Sequence, residues 1–137
     1  MKYSLKVEYA CRVLSHMGAD YGTRRLFQIN DLARDENIPA KYLSQILNAL
    51  REGRIIESKR GKLGGYRLCR TPDTISLYEV VKAADPEALP PPRAGAGQSG
   101  AVVAKVWREI TDAADAQLKS RTVASLVPAA LSPNWVI

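Results

Sequence analysis

Lys41, Tyr42, Ser44, Gln45 and Asn48 fall close together in one stretch, and a second polar group, Lys59, Arg60, Gly61, Lys62, Gly64 and Gly65, follows soon after. Neither group contains a nucleophile-base pair or the histidine and cysteine spacing of a metal site, so catalysis is not what they suggest. Gly61 to Gly65 is not a phosphate-binding Walker loop either, because its lysine precedes the glycine pair and no Lys-Ser or Lys-Thr follows. What these side chains can do is hydrogen-bond to nucleic acid. Gln and Asn offer the paired donor and acceptor that match adenine N6 and N7, Lys donates to guanine or phosphate, and Ser can serve either. Glycines among cations let backbone approach a phosphate or a narrow groove. An arginine at such a tip suits the minor groove of A·T-rich duplex, where negative potential concentrates, and Arg60 is the candidate. Tyr42 is open to two positions, packed inward or reaching a phosphate.

The charge distribution points the same way. The net charge is +6. Residues 41–70 carry eight cations (Lys41, Arg51, Arg54, Lys59, Arg60, Lys62, Arg67, Arg70) against Glu52 and Glu57, so this stretch holds the whole excess. Such clustering favours a polyanionic partner over a merely solvated face. With 137 residues, 46% hydrophobic and 25% charged, the chain is sized for one folded domain. No apolar run is long enough for a membrane span, and the charged amphipathic start does not read as a signal peptide, which leads to the expectation of a cytoplasmic protein. Cys11 and Cys69 have neither the number nor the spacing of a disulfide framework or zinc site.

The elements that must hold these residues can be read from periodicity. Tyr3, Val7, Ala10, Cys11, Leu14 and Met17 recur at three- and four-residue steps, which predicts an amphipathic helix ending near Gly18. Ile29, Leu32 and Ala33 predict a short second helix stopped near Asn37, with Pro39 suited to the first turn of the next. From Ala40 a third helix runs through Leu43, Ile46, Leu47 and Leu50, with Gly53 placed to supply a left-handed closing residue. Two helices joined by a tight turn make a helix-turn-helix, whose second helix is the one that enters the major groove. Residues 55–60 and 66–70 read as a hairpin with a glycine-rich tip. Ser76 and Glu79 have capping-box spacing, with Ile75 and Val80 as the accompanying staple, so a fourth helix starts at Ser76 and ends by Asp85.

Residues 86–101 are rich in proline and glycine and read as a loop. Val103, Val106, Trp107, Ile110, Ala114 and Leu118 then return to helical spacing in a segment over 102–121 that needs a partner for its stripe, either its own domain or a second copy; the second copy is the expectation. Residues 122–137 are expected to form a tail. His16, the one histidine, has no carboxylate partner visible in sequence, and Cys11 and Cys69 are candidate redox thiols only if they are not inert packing residues.

Lys41-Tyr42-Leu43-Ser44-Gln45-Ile46-Leu47 and Arg60-Gly61-Lys62-Leu63-Gly64-Gly65-Tyr66-Arg67-Leu68, following a stripe around Glu8, Tyr9 and Ala10, resemble the Rrf2 family of bacterial regulators. The resemblance covers residues 1 to about 85 and resumes at Trp107-Arg108-Glu109-Ile110 and Thr122-Val123-Ala124-Ser125-Leu126-Val127. It implies a mainly α fold with a small β-hairpin, a winged helix-turn-helix whose long C-terminal helix crosses that of a second subunit. It also implies Arg60 in the wing, Ser44 and Gln45 at base-reading positions, and a roughly palindromic site on double-stranded DNA. Cluster-binding members carry three cysteines in the loop before the long helix, whereas residues 93–104 have none. Thiolates hold such clusters, so no cofactor is expected, and Glu8 alone cannot replace them. The expected protein is thus a non-enzymatic DNA-binding regulator, a repressor acting as a homodimer on a signal from a small-molecule or protein effector. The alternatives are a thiol switch in the same architecture and a winged helix that docks on protein.

Overall fold

The computed structural model describes residues 3–91 and 93–128. In chain order these form α1 (Leu5–Ala19), α2 (Ile29–Glu36), α3 (Ala40–Glu52), β1 (Ile56–Lys59), β2 (Gly65–Leu68), α4 (Leu77–Ala84) and α5 (Gly100–Ser120), with single 3₁₀ turns at Pro72–Thr74, Pro86–Ala88 and Val123–Leu126. Mostly helical with one antiparallel hairpin, the fold matches the expected class.

The core sits where α1, α3 and α4 meet. Ala10, Val13, Leu14 and Met17 of α1, Leu43, Leu47 and Leu50 of α3, and Val80 of α4 are essentially sealed from solvent, together with Ile55, Ile56 and Ile75. Burying such a side chain contributes about 1.5–3 kcal/mol, so this cluster fixes how the helix pair sits on α1. Tyr3 does not share in it. Ser4 caps α1 by accepting from the Val7 amide at 3.3 Å, which leaves Tyr3 outside the helix and exposed.

The α2–α3 turn is made by Asn37 in the left-handed region (φ 54°), with the Ile38 amide donating to the Ala33 carbonyl at 2.9 Å and Ile38 buried. Pro39 is the N-cap of α3 instead of a first-turn residue. The end of α3 departs from expectation too: Gly53 has φ −76°, and Arg54 takes the left-handed position at φ 59°. Gly53 is needed for space, since a Cβ there would lie 2.8 Å from Cβ of Ala83 on α4.

The capping box is present as read from the sequence, with Ser76 Oγ accepting from the Glu79 amide at 3.1 Å and the Ser76 amide donating to Glu79 Oε2 at 2.9 Å. Arg70 donates to the other oxygen of Glu79, tying the end of the hairpin to α4. Burial pushes the Glu79 carboxyl up, but the Ser76 amide and the Arg70 guanidinium outweigh it and hold the carboxyl below its ordinary range.

Residues 122–128 are part of the packed body. After α5 the chain turns back along 75–77, with the Leu77 amide donating to the Arg121 carbonyl and the Val123 amide to the Ile75 carbonyl, both at 2.9 Å. Val123 is fully buried, and Ser15 Oγ donates to the Leu126 carbonyl at 2.8 Å. The rest of the expected tail, 129–137, lies outside the described residues, as do Pro92 of the loop and residues 1–2.

Candidate nucleic-acid interface

The buried side of α3 holds Leu43, Ile46, Leu47 and Leu50, which leaves Lys41, Tyr42, Ser44, Gln45 and Asn48 exposed on the other. Tyr42 takes the outward of its two options. Asn48 is engaged along the helix: its amide donates to Glu52 Oε1 at 3.4 Å and its Oδ1 accepts from Arg51. Each of these atoms keeps capacity for one further hydrogen bond. Lys41, Ser44 and Gln45 have no side-chain partner among the described residues, so of the face they are the readiest to bond elsewhere.

The wing is the β1–β2 hairpin, with Ile56 opposite Leu68 and Lys59 opposite Gly65. Its tip closes through the Gly64 amide donating to the Gly61 carbonyl at 2.9 Å, with Gly61 at φ 110°. Gly64 and Gly65 serve close approach between protein backbones: a Cβ would fall 2.1 Å from the Lys59 carbonyl oxygen at Gly64 and 2.7 Å from that of Phe27 at Gly65. Gly64 is buried, and the tip positions open to solvent are Lys59, Arg60, Gly61, Lys62 and Leu63. None of the three cations has an ion-pair partner among the described residues.

Sequence reasoning missed how this wing is held. Phe27 and Tyr66 exchange both backbone hydrogen bonds, at 2.8 and 2.9 Å, and Gln28 Nε2 donates to the Gly64 carbonyl. Gln28 is also the N-cap residue of α2, so the wing is bonded to the start of the helix-turn-helix. One paired residue has no periodicity to read. Arg24 and Arg25 were missed for a similar reason: they lie in a turn, and only folding brings them beside Lys59 and Arg67 around a cleft of about 510 Å³. Arg25 is held by Asp20 at 2.8 Å and Arg67 by Glu57, whereas Arg24 has no ion-pair partner among the described residues.

His16 proves to have the carboxylate partner that its sequence neighbours did not reveal. Nδ1 lies 2.7 Å from Glu36 Oε2, and the ring meets Phe27 edge-on at 5.4 Å. This joins α1 to the end of α2 and is a structural contact.

The two cysteines line different clefts, Cys11 beside Glu8 and Arg12, Cys69 beside Lys59 and Arg67. Burial and the Glu8 carboxylate push the Cys11 thiol up to about 11. Cys69 is exposed, yet partial desolvation and Glu57 raise its pKa despite Arg67 and Arg70. Both are therefore mainly protonated at neutral pH, the less nucleophilic form. Among the described residues no group of three or more His, Cys, Asp or Glu is placed to hold a metal ion. Residues 93–99 bring no thiol, imidazole or carboxylate to the loop where cluster-binding members have thiolates. The donor set does not fit a cluster of that kind.

The stripe of α5 divides. Val103, Val106, Trp107 and Ile110 are about half exposed or more, as is Val102. Ala114 is half-buried, and Leu118 packs on the chain's own cluster of Val7, Val81 and Ala88. Lys119 Nζ also sits 4.7 Å from the Tyr78 ring of α4. The far end of α5 is thus seated on its own domain, while the middle presents apolar side chains outward.

A helix-turn-helix with an outward polar face, flanked by a cationic hairpin bonded to its first helix, defines a winged-helix DNA-binding protein. The profile of the Rrf2 family, described as an iron-dependent transcriptional regulator, matches residues 3–129, and the chain belongs to that family. It is 34% identical to the HTH-type transcriptional regulator slr0846 of Synechocystis sp. over 131 residues, 92% of this chain and 87% of that one. With the HTH-type transcriptional regulator IscR of Cereibacter sphaeroides it shares 30% identity over 113 residues, 82% of this chain and 72% of the relative. Among solved structures, CymR of Bacillus subtilis, described as a global cysteine regulator, superposes with a TM-score of 0.77 over 92% of this chain and 95% of that one, at 24% identity, a likeness of fold. The chain is a DNA-binding transcriptional regulator of a family that is not enzymatic.

Proposed function

We propose that this regulator is a cytoplasmic repressor that binds a roughly palindromic DNA site as a homodimer, without an iron–sulfur cluster. Each protomer lays α3 in the major groove, with Ser44 and Gln45 at base edges, Lys41 and Tyr42 at phosphate or base, and Asn48 joining through the hydrogen-bonding capacity that Glu52 and Arg51 leave it. The wing follows the backbone through Lys59, Gly61 and Lys62 and sends Arg60 into the minor groove. Gly64 and Gly65 keep the hairpin tight enough to do so.

The observation that carries this reading is the bonding of the wing to the start of α2 through Phe27 and Gln28, next to a polar α3 face and unpaired tip cations. Two DNA-contacting elements held in one rigid unit can meet adjacent grooves without a large ordering cost. The outward apolar side of α5 supports the dimer, since two half-sites about one helical turn (~34 Å) apart call for two copies related by a two-fold axis. A protein-docking winged helix would not need the cations concentrated here. A thiol switch would need a thiolate, and the surroundings of Cys11 and Cys69 disfavour one.

The test is fluorescence anisotropy with the gene's own upstream duplex and a scrambled duplex at two salt concentrations, reduced and after a thiol oxidant. The expected result is preference for the upstream duplex, a steep fall in affinity with salt, and no change on oxidation. Equal, salt-insensitive binding to both duplexes would sink the reading, and an oxidation-dependent shift would bring the thiol switch back.

A further inference from the structure

Around a helix that advances about 100° per residue, Val102, Val106 and Ile110 project to one side of α5 and Ala104, Trp107, Arg108 and Thr111 turn toward another. Over this second side, near the helix start, lies the loop that follows α4. Gly95 rests directly on the first turn of α5, where a Cβ on it would come within 2.0 Å of the Gly100 carbonyl oxygen. Between loop and helix is a cleft of about 660 Å³ walled by Pro90, Pro91, Val103, Ala104 and Trp107. Its volume lies in the range of small-molecule sites, ~300–1,000 Å³.

The polar groups on these walls are few and unequal in sign. Arg93 and Arg108 face the cleft against Asp112, and none of the three has an ion-pair partner among the described residues. An indole surface with two guanidinium groups and one carboxylate matches a flat apolar body bearing a single negative charge. Guanidinium forks take carboxylates bidentately, and the Trp107 face accepts an aromatic ring.

We propose that this cleft binds a small aromatic carboxylate, and that the bound molecule is a signal to the regulator. Val103 and Trp107 belong both to the cleft and to the edge of the outward apolar side of α5, so an occupant touches the surface assigned above to the second copy. As a binding site the cleft stands apart from the DNA-binding reading; as a signal input it rests on it.

The experiment uses the full chain and the fluorescent aromatic monoanion anilinonaphthalene sulfonate, with its uncharged relative N-phenyl-1-naphthylamine for comparison and 1-naphthoate as competitor. The expected result is one saturable site per chain for the anion, displaced by 1-naphthoate, with the neutral dye bound more weakly. Arg93→Ala with Arg108→Ala should weaken the anion by about ten-fold or more. Ala104→Phe, which fills the cleft, should abolish binding, and Asp73→Ala, an exposed position in the Pro72–Thr74 turn away from the cleft, should leave it intact. If circular dichroism shows Ala104→Phe unfolded, the double arginine variant decides. Equal binding of both dyes with no effect of the arginines overturns the proposal, as does loss in Asp73→Ala. Anisotropy on the upstream duplex with the same variants, without dye and then with 1-naphthoate, reads the DNA function separately; unchanged DNA affinity with 1-naphthoate bound overturns the signalling role.

Discussion

α3 and α5 both turn a face to solvent, and the two faces differ in kind. On α3 it is Lys41, Ser44, Gln45 and Asn48 with one tyrosine; on α5 it is Val102, Val103, Val106, Trp107 and Ile110. Polar side chains in water wait at little cost for a partner that offers hydrogen bonds and phosphates. Contiguous exposed valine, isoleucine and tryptophan cost solvation until something apolar covers them. The first surface is suited to a nucleic acid that comes and goes, the second to a protein partner that stays.

The strongest way to break this contrast is to charge the apolar face. Val106→Asp with Ile110→Asp should raise the dimer dissociation constant by about 100-fold or more, because two carboxylates would have to be buried unpaired. Sedimentation velocity reads this directly, and a dimer that survives places the interface elsewhere. Next comes the polar face. Gln45→Ala should lose about 1–3 kcal/mol of discrimination at one base pair of the site, seen by competition with singly substituted duplexes, while scrambled DNA is bound as before. Uniform loss on every duplex would make Gln45 a phosphate contact instead.

A smaller effect should follow from the wing. Arg60→Ala should weaken binding about five-fold and reduce the slope of log affinity against log salt by about one, one cation having been withdrawn. Equal affinity of variant and parent at physiological salt would remove the wing from the mechanism. The smallest effect concerns the joint between hairpin and α4. Glu79 is held below its ordinary range in the folded protein, so its contribution is present above the unfolded value, near 4.5, and is lost as pH falls through the folded one. Glu79→Gln should flatten the acid limb of a denaturant-midpoint profile below about pH 4.5 and change little at neutrality. A parallel acid limb in the variant would mean that the pair with Arg70 adds nothing.

Much of the DNA-facing half was legible because periodicity and punctuation are local. Leu43, Ile46, Leu47 and Leu50 repeat at helical spacing, and the apolar set assigns the exposed set by subtraction. Ser76 and Glu79 are three residues apart, and their capping box forms within that span. Gly53 went the other way. Its place after α3 suggested a left-handed closing residue, but the neighbour that requires a glycine there is Ala83, thirty residues on. His16 and Glu36, Gln28 and Gly64, Thr122 and Ser76 are likewise meetings that no window of sequence contains.

By itself the sequence determined the helix-turn-helix, the cationic hairpin and the lack of thiolates in the loop before α5, since each follows from residue type at short separation. Only the tertiary structure decided which α5 positions stay outward and which rest on the domain. It also decided that Val123 joins the core, carrying its neighbours onto the domain, and that the wing is fastened at Phe27 and Gln28. Those outcomes depend on which surfaces are brought together by burial of the α1, α3 and α4 side chains, and burial is a property of the whole chain.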